Sequence, residues 1–127
     1  MIVEDELSIQ KIYKILLTSS GFDIIGMAKN GEEAVNMYKS FLKKPDIIIM
    51  DHRMPVKDGI EATKEIQQID KHAKIIFASA DITTEKLAMS LGALSFKIKP
   101  FDNERLINNI KEKLGIEPFS KKVKNLI

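Results

Sequence analysis

Three carboxylates, a hydroxyl and an amine occupy comparable places along this chain. Glu4 and Asp5 follow the apolar stub Met1-Ile2-Val3, and Asp51 follows Ile47-Ile48-Ile49-Met50. Ser79 follows Ile75-Ile76-Phe77-Ala78, and Lys99 follows Ser95-Phe96-Lys97-Ile98. Groups of these types can bind a hard cation through oxygen, hold an anion through an ammonium, or supply a nucleophile, provided they are brought together. They are far apart in sequence, so any shared chemistry depends on the elements that carry them.

The run Ile47–Met50 is short, β-branched and without alternation, bounded by Lys43-Lys44-Pro45-Asp46 before it and Pro55 after it. It reads as a strand buried on both faces, the kind found inside a parallel sheet. Ile75-Ile76-Phe77-Ala78 reads the same way, Phe22 to Ala28 as a second strand and Ser95 to Ile98 as a fifth. Only three residues precede Glu4, few for a first strand that should be central.

Helical spacing fills the intervals. A stripe of Ile9, Ile12, Tyr13 and Leu16 ends near Gly21, and Asn30 is placed to cap a helix carrying Ala34, Val35, Met37, Tyr38 and Phe41. Gly59 to about Asp70 forms a third, with Ile60, Ala62, Ile66 and Ile69 inward, and a weaker one runs from Thr83 or Thr84 to Leu91, closed by Gly92. Asp102 or Asn103 caps a last helix striped by Leu106, Ile107, Ile110 and Leu114. Strand and helix thus alternate five times, which implies a parallel sheet with helices on both faces and right-handed crossovers. In such a sheet all the carboxyl ends share one edge, where ligand and catalytic groups collect.

Bulk properties narrow the function. The 127 residues suit one domain with a real core, and the 44% hydrophobic and 30% charged fractions are those of an ordinary globular protein. No apolar run is long enough for a membrane helix, and no signal-peptide pattern is present. Without cysteine there is no disulfide framework, thiolate zinc site or thiol nucleophile, which fits a cytoplasmic protein. A net charge of +2 is too small to argue for direct nucleic-acid binding, and the densest basic run, Lys121-Lys122-Val123-Lys124, lies in the tail.

Four blocks, VEDE at Val3–Glu6, IIIMDHRMPVKDG at Ile47–Gly59, IIFASA at Ile75–Ala80 and FKIKPF at Phe96–Phe101, resemble the signature blocks of the receiver domain of two-component response regulators, the CheY-like family. The resemblance runs from Met1 to about Leu114. It implies a (βα)5 flavodoxin-like fold with strand order 2-1-3-4-5, and Asp51 as phosphoacceptor for a sensor histidine kinase or phosphotransfer protein. It further implies that Glu4, Asp5, Asp51 and the backbone carbonyl of Arg53 hold Mg²⁺, that Lys99 binds a phosphoryl oxygen, and that Ser79 is the switch hydroxyl. Phe96 takes the switch-aromatic position, Arg53 and Asp81 take positions that tune phosphoryl lifetime, and the Lys99–Pro100 bond is expected to be cis. On this reading the chain is a signalling domain with at most slow self-dephosphorylation. Phosphorylation changes the surface formed by the fourth helix, last strand and last helix, which meets a downstream protein target. Many receivers pair through that surface, so a homodimer on phosphorylation stays open.

Charge arithmetic agrees with a metal. Three carboxylates against one ammonium leave two negative charges in excess, and like charges about 4 Å apart repel by roughly 4 kcal/mol at an effective dielectric near 20. One Mg²⁺ balances the set. The departures from the family pattern are Glu4, where aspartate is frequent, Ser79 in place of the commoner threonine, and Phe96 in place of tyrosine.

Two other functions stay open. A phosphohydrolase of the haloacid-dehalogenase kind would use Asp51 as nucleophile but wants a second acid two residues on, where this chain has Arg53. A pseudo-receiver would be an interaction module that never carries phosphate, against which stands the complete set of acids, hydroxyl and lysine. The chain is read as a stand-alone receiver or as the receiver of a larger, for example transcriptional, regulator. Residues 115–127 outlast the domain as a tail, linker or short helix, with Ser120 as its cap and Val123, Leu126 and Ile127 on one side.

Overall fold

A computed structural model describes residues 1–116 of the chain; the expected short helix after Ser120 lies outside them. The order is β1 (Ile2–Val3), α1 (Leu7–Ser19), β2 (Met27–Ala28), α2 (Gly31–Ser40), β3 (Ile48–Met50), α3 (Gly59–Ile69), β4 (Ile75–Ser79), α4 (Glu85–Ser90), β5 (Ser95–Ile98) and α5 (Asn103–Lys113). The strands form one sheet, β2-β1-β3-β4-β5, with every pair parallel. This is the doubly wound arrangement and the strand order that the resemblance implied.

The lack of alternation in the central strands has a direct cause. Ile48, Met50, Ile75 and Phe77 enter one core, under α2, α3 and α4, while Ile47, Ile49, Ile76 and Ala78 enter another with Tyr13 and Leu17 of α1 and Leu106 and Ile110 of α5. Successive side chains point to opposite faces, and both faces are covered.

Caps set most helix starts. Asn30 Oδ1 accepts the Glu33 amide at 2.8 Å, Asp58 Oδ1 accepts that of Glu61 at 2.9 Å, and Asp102, rather than Asn103, caps α5 by accepting the Glu104 amide at 2.9 Å. α1 and α4 differ, for their N-caps, Glu6 and Thr84, make no side-chain capping bond.

Four expectations need correction. The second strand is Met27–Ala28 and not Phe22–Ala28, because its partner β1 provides only Ile2 and Val3; the ladder begins where the Ile2 amide meets the Gly26 carbonyl at 3.0 Å. Of the stripe expected in α1, Tyr13 is buried and Ile9 and Leu16 pack against the core, joined by Gln10 and Leu17, but Ile12 stands in solvent, because it falls on the far side of the helix from Tyr13 and Leu17. Ile69 is likewise exposed, because it ends α3 one turn past the buried Ile66, beyond the rim of the core. The helix expected from Thr83 or Thr84 begins instead as a 3-10 turn, Ile82–Thr84, before α4 proper, because Asp81 accepts the Thr83 amide and draws the entry tight.

β1 comprises Ile2 and Val3. The Met1 ammonium is buried and donates to the Ile47 carbonyl at 2.8 Å. Burial pushes this amine down to about 6, against the opposite pull of Asp46. Beside it lies a groove of ≈ 410 Å³ whose walls include Met1, Ile24, Phe41, Leu42, Ile47 and Leu114. The groove is at the amino edge of the sheet, away from the acids.

Candidate functional site

At the carboxyl edge the sheet gathers the residues that the sequence left scattered. Asp51 is held from two sides: its amide donates to the Val3 carbonyl at 3.0 Å, and its Oδ1 accepts the His52 amide at 2.8 Å. One carboxylate oxygen each of Glu4, Asp5 and Asp51 lies within 4.8 Å of the others. Lys99 reaches the same place from β5, with Nζ 2.9 Å from Glu4 Oε1 and 3.6 Å from Asp51 Oδ2. Its amide donates to the Ser79 carbonyl at 2.9 Å, which ties the ends of β4 and β5 together, and the Lys99–Pro100 bond is cis.

Glu4 is the most enclosed of the acids, only 1% exposed. Burial raises its pKa, and the nearby Asp51 charge adds to the rise, while the hydrogen bond from Lys99 works against both. The second oxygen, Oε2, accepts the Glu6 amide at 3.2 Å. All-oxygen donors that converge within a few ångströms fit a hard divalent cation, and the surplus negative charge favours one.

The Asp51 loop is braced by two glycines. A Cβ on Gly59 would meet the Asp51 carbonyl oxygen at 2.0 Å, and the Gly59 amide donates to the His52 carbonyl at 2.8 Å. Gly31, at the start of α2, packs on the same loop, with its amide 2.8 Å from the Lys57 carbonyl and room for no Cβ. The Asp-Gly of the second block is therefore a steric requirement of the turn that carries Asp51 into α3.

The remaining candidates form the rim. Ser79 is buried at the end of β4, and its Oγ accepts the Asp81 amide at 3.0 Å. Arg53 Nη2 meets Asp81 Oδ2 at 2.7 Å, so the two flanking residues do close across the mouth. Hydrogen bonds from the Thr83 hydroxyl and amide and from Arg53 hold the Asp81 carboxyl below the usual range. Phe96 stacks on Phe77, centroids 5.8 Å apart and planes 10° from parallel, and the His52 ring leans on the other side of Phe77 at 6.1 Å. Asp5, His52, Arg53, Met54, Pro55 and Asp58 line a shallow groove of ≈ 400 Å³ beside the acids.

Gln10 is a participant that sequence reading missed. Its Nε2 donates to the Glu4 carbonyl at 2.6 Å and to the Ala28 carbonyl at 3.2 Å. The available signal was an amide at the i, i+3, i+7 spacing of Tyr13 and Leu17, a polar residue on a stripe bound for the core.

A doubly wound parallel sheet that presents an acid pair, a strand-end acid, a hydroxyl and a lysine at one edge defines the CheY-like receiver class. The chain belongs to this family: the response regulator receiver domain matches residues 1–111. The chemotaxis protein CheY of Thermotoga maritima is 41% identical over 109 residues, 84% of this chain and 89% of that protein. Among solved structures, the CheX-CheY-BeF3-Mg²⁺ complex of Borrelia burgdorferi contains a chain 35% identical with a TM-score of 0.83, covering 87% of this chain and 84% of its own. The response regulator TrrA of T. maritima, in complex with Mg²⁺ and BeF, is 32% identical with a TM-score of 0.80, covering 88% and 95%. Among the described residues no helix is long and apolar enough to cross a membrane.

Proposed function

We propose that this receiver is a phosphorylation-dependent switch with Asp51 as its acceptor. The observation that carries the reading is the convergence of Asp51 with Glu4, Asp5 and Lys99 at one sheet edge. A carboxylate oxygen of Asp51 attacks the phosphorus of a phosphohistidine on a sensor kinase or phosphotransfer protein. The P–N bond breaks, its electron pair stays with the imidazole, and Asp51 becomes an acyl phosphate. Transfer of this kind needs positioning and charge stabilisation more than a dedicated base, which suits a site with a fixed acceptor and a lysine beside it.

Glu4, Asp5 and Asp51, with the Arg53 carbonyl, would hold Mg²⁺, which when bound neutralises the acids and draws negative charge from the phosphoryl oxygens. The Mg²⁺ complexes among the solved relatives support this assignment. Lys99 exchanges its carboxylate partners for a phosphoryl oxygen. Ser79 gives up the Asp81 amide and donates its hydroxyl to another, and Phe96, packed on Phe77, follows the movement of β4. The surface that changes is that of α4, β5 and α5, where Leu87, Met89 and Ile98 are exposed. A downstream protein binds whichever form presents its surface, by population shift. Residues 1–114 carry all of this, with 115–127 as tail or linker.

Incubation with acetyl phosphate and Mg²⁺, followed by intact-mass measurement, tests the reading. An adduct of one phosphoryl group that requires Mg²⁺ and is lost in Asp51→Asn is the expected result. Folded protein without an adduct overturns it, and steady turnover of an aryl phosphate points to a phosphohydrolase.

A further inference from the structure

We propose that Gln10 is a positioning residue for the acid pair: its side-chain amide clamps the carboxyl ends of β1 and β2 and so holds Glu4 and Asp5 at the spacing a divalent cation requires. The inference rests on the metal site proposed above and goes beyond it, because Gln10 bonds the backbone carbonyl of Glu4 and not the carboxylate oxygens that would hold the metal.

The turn that carries both acids is held across itself by the Glu6 amide on Glu4 Oε2 at 3.2 Å, a bond that involves a ligand carboxylate and leaves the backbone ends to other anchors. The sheet ladder ends with the Glu4 amide on the Ala28 carbonyl at 2.9 Å, and Glu6, which begins α1, makes no side-chain capping bond. α2, α3 and α5 all start with such a bond, from Asn30, Asp58 and Asp102. Here the anchor comes from inside the helix. Gln10 Nε2 has two protons, one partner being the Glu4 carbonyl at 2.6 Å and the other the Ala28 carbonyl at 3.2 Å. The Gln10 amide of the backbone donates to Glu6 at 3.0 Å, so the same residue closes the first turn of α1 over the acids.

Core filling alone does not account for a glutamine here. Gln10 is 7% exposed on a stripe shared with Tyr13 and Leu17, where a leucine or methionine would fill the space without burying an amide. Burying a primary amide is costly unless its hydrogen bonds are made, and here they are made to the carbonyl of a metal-site residue and to the neighbouring strand end. The clamp fixes the Cα of Glu4 and hence the direction of its long side chain. A longer acid than aspartate has more ways to miss the cation, so the constraint matters more in this chain than it would with a shorter arm.

The test is Mg²⁺ titration followed by amide NMR shifts around Asp51, on the full chain and on Gln10→Met, Gln10→Glu and Gln10→Arg. Gln10→Met keeps the volume and loses the donors, Gln10→Glu turns a carboxylate toward two carbonyls, and Gln10→Arg restores one N–H, at Nε, at the same reach, with the charged guanidinium beyond it. The first two should raise the Mg²⁺ dissociation constant about tenfold, the lower end of what outer partners of a metal site supply, and Gln10→Arg should recover most of the loss. A fall in melting temperature with an unchanged dissociation constant in Gln10→Met would mean packing only and overturn the proposal. In the unsubstituted protein the Gln10 side-chain protons should exchange slowly and shift on Mg²⁺ addition; fast, unmoved protons also overturn it, even if the variants do not fold. Failure of the unsubstituted chain to bind Mg²⁺ removes the metal site and this inference together, whereas binding that ignores Gln10 removes this inference alone.

Discussion

Lys99 Nζ lies 2.9 Å from Glu4 Oε1 and 3.6 Å from Asp51 Oδ2, so in the resting chain the lysine leans on the buried acid and leaves the acceptor the weaker contact. The longer arm of glutamate, where the family often has aspartate, makes this possible. The acceptor is thereby freer to face an incoming phosphoryl group.

Removing Lys99 should therefore hurt folding chiefly through Glu4. In Lys99→Met the glutamate loses its hydrogen-bonded cation while 1% exposed, and we expect a loss of about 2 kcal/mol in urea denaturation at pH 7 without divalent cations. That is below the roughly 3–5 kcal/mol for a fully buried pair because the lysine is partly solvated. Glu4 can relieve the loss by taking a proton, so the deficit should shrink as the pH falls toward 5. A deficit independent of pH would contradict this account.

Mg²⁺ should raise the melting temperature. At tenfold excess over its dissociation constant the gain is about 1.4 kcal/mol, or about 5 °C for a domain of this size. Asp5→Ala should abolish most of it. Equal shifts in the two proteins, measured by thermal unfolding in Mg²⁺ and in EDTA, would count against the site.

Arg53→Ala should leave stability within about 0.5 kcal/mol, since its contact with Asp81 is exposed on the arginine side. The phosphorylated form should nevertheless lose its phosphoryl group a few-fold faster if the pair, in contact at 2.7 Å, hinders the attacking water. Mass spectrometry over time after removal of the donor measures it. An unaltered rate removes Arg53 from the lifetime mechanism.

Gly59→Ala should cost at least about 2 kcal/mol, as expected where backbone must shift to admit a side chain. The added Cβ would meet the Asp51 carbonyl oxygen at 2.0 Å. Chemical denaturation reads the cost, and the yield of phosphoryl adduct should fall further than the unfolded fraction explains.

The Met1 amine links stability to pH in a window of its own. Its pKa falls from 8.0 to about 6 on folding. The unfolded chain therefore binds more protons between these values, and stability rises with pH across that window. The full effect is about 2–3 kcal/mol, at about 1.4 kcal/mol for each pKa unit. It is complete above pH 8 and absent below pH 6. Acetylation of the amine should flatten the pH dependence of urea midpoints between pH 6 and 8. A slope that survives acetylation belongs to other groups.

Most of the site was legible because chemistry there depends on residue type and order. Asp51, Lys99, Ser79 and the acid pair each terminate an apolar run, and parallel pairing forces those ends to one edge. The Arg53–Asp81 approach was legible from position alone. Three things were not. The extent of β2 depends on how much of β1 exists to pair with it, a property of the partner strand. The face that α1 buries is shared among Ile9, Tyr13, Leu16 and Leu17, with Ile12 outside, and isoleucine content could not single it out. Gln10 was hidden because a polar residue on an apolar stripe shows its purpose only when its two carbonyl partners, 6 and 18 residues away, are in place.

The position of Met1 bears on how the molecule is handled at the bench. Because its nitrogen donates to the Ile47 carbonyl at 2.8 Å, a purification tag or fluorophore attached there meets the sheet where β1 runs beside β3. Constants measured with and without such a label are therefore comparable only once the stabilities of the two forms have been measured side by side.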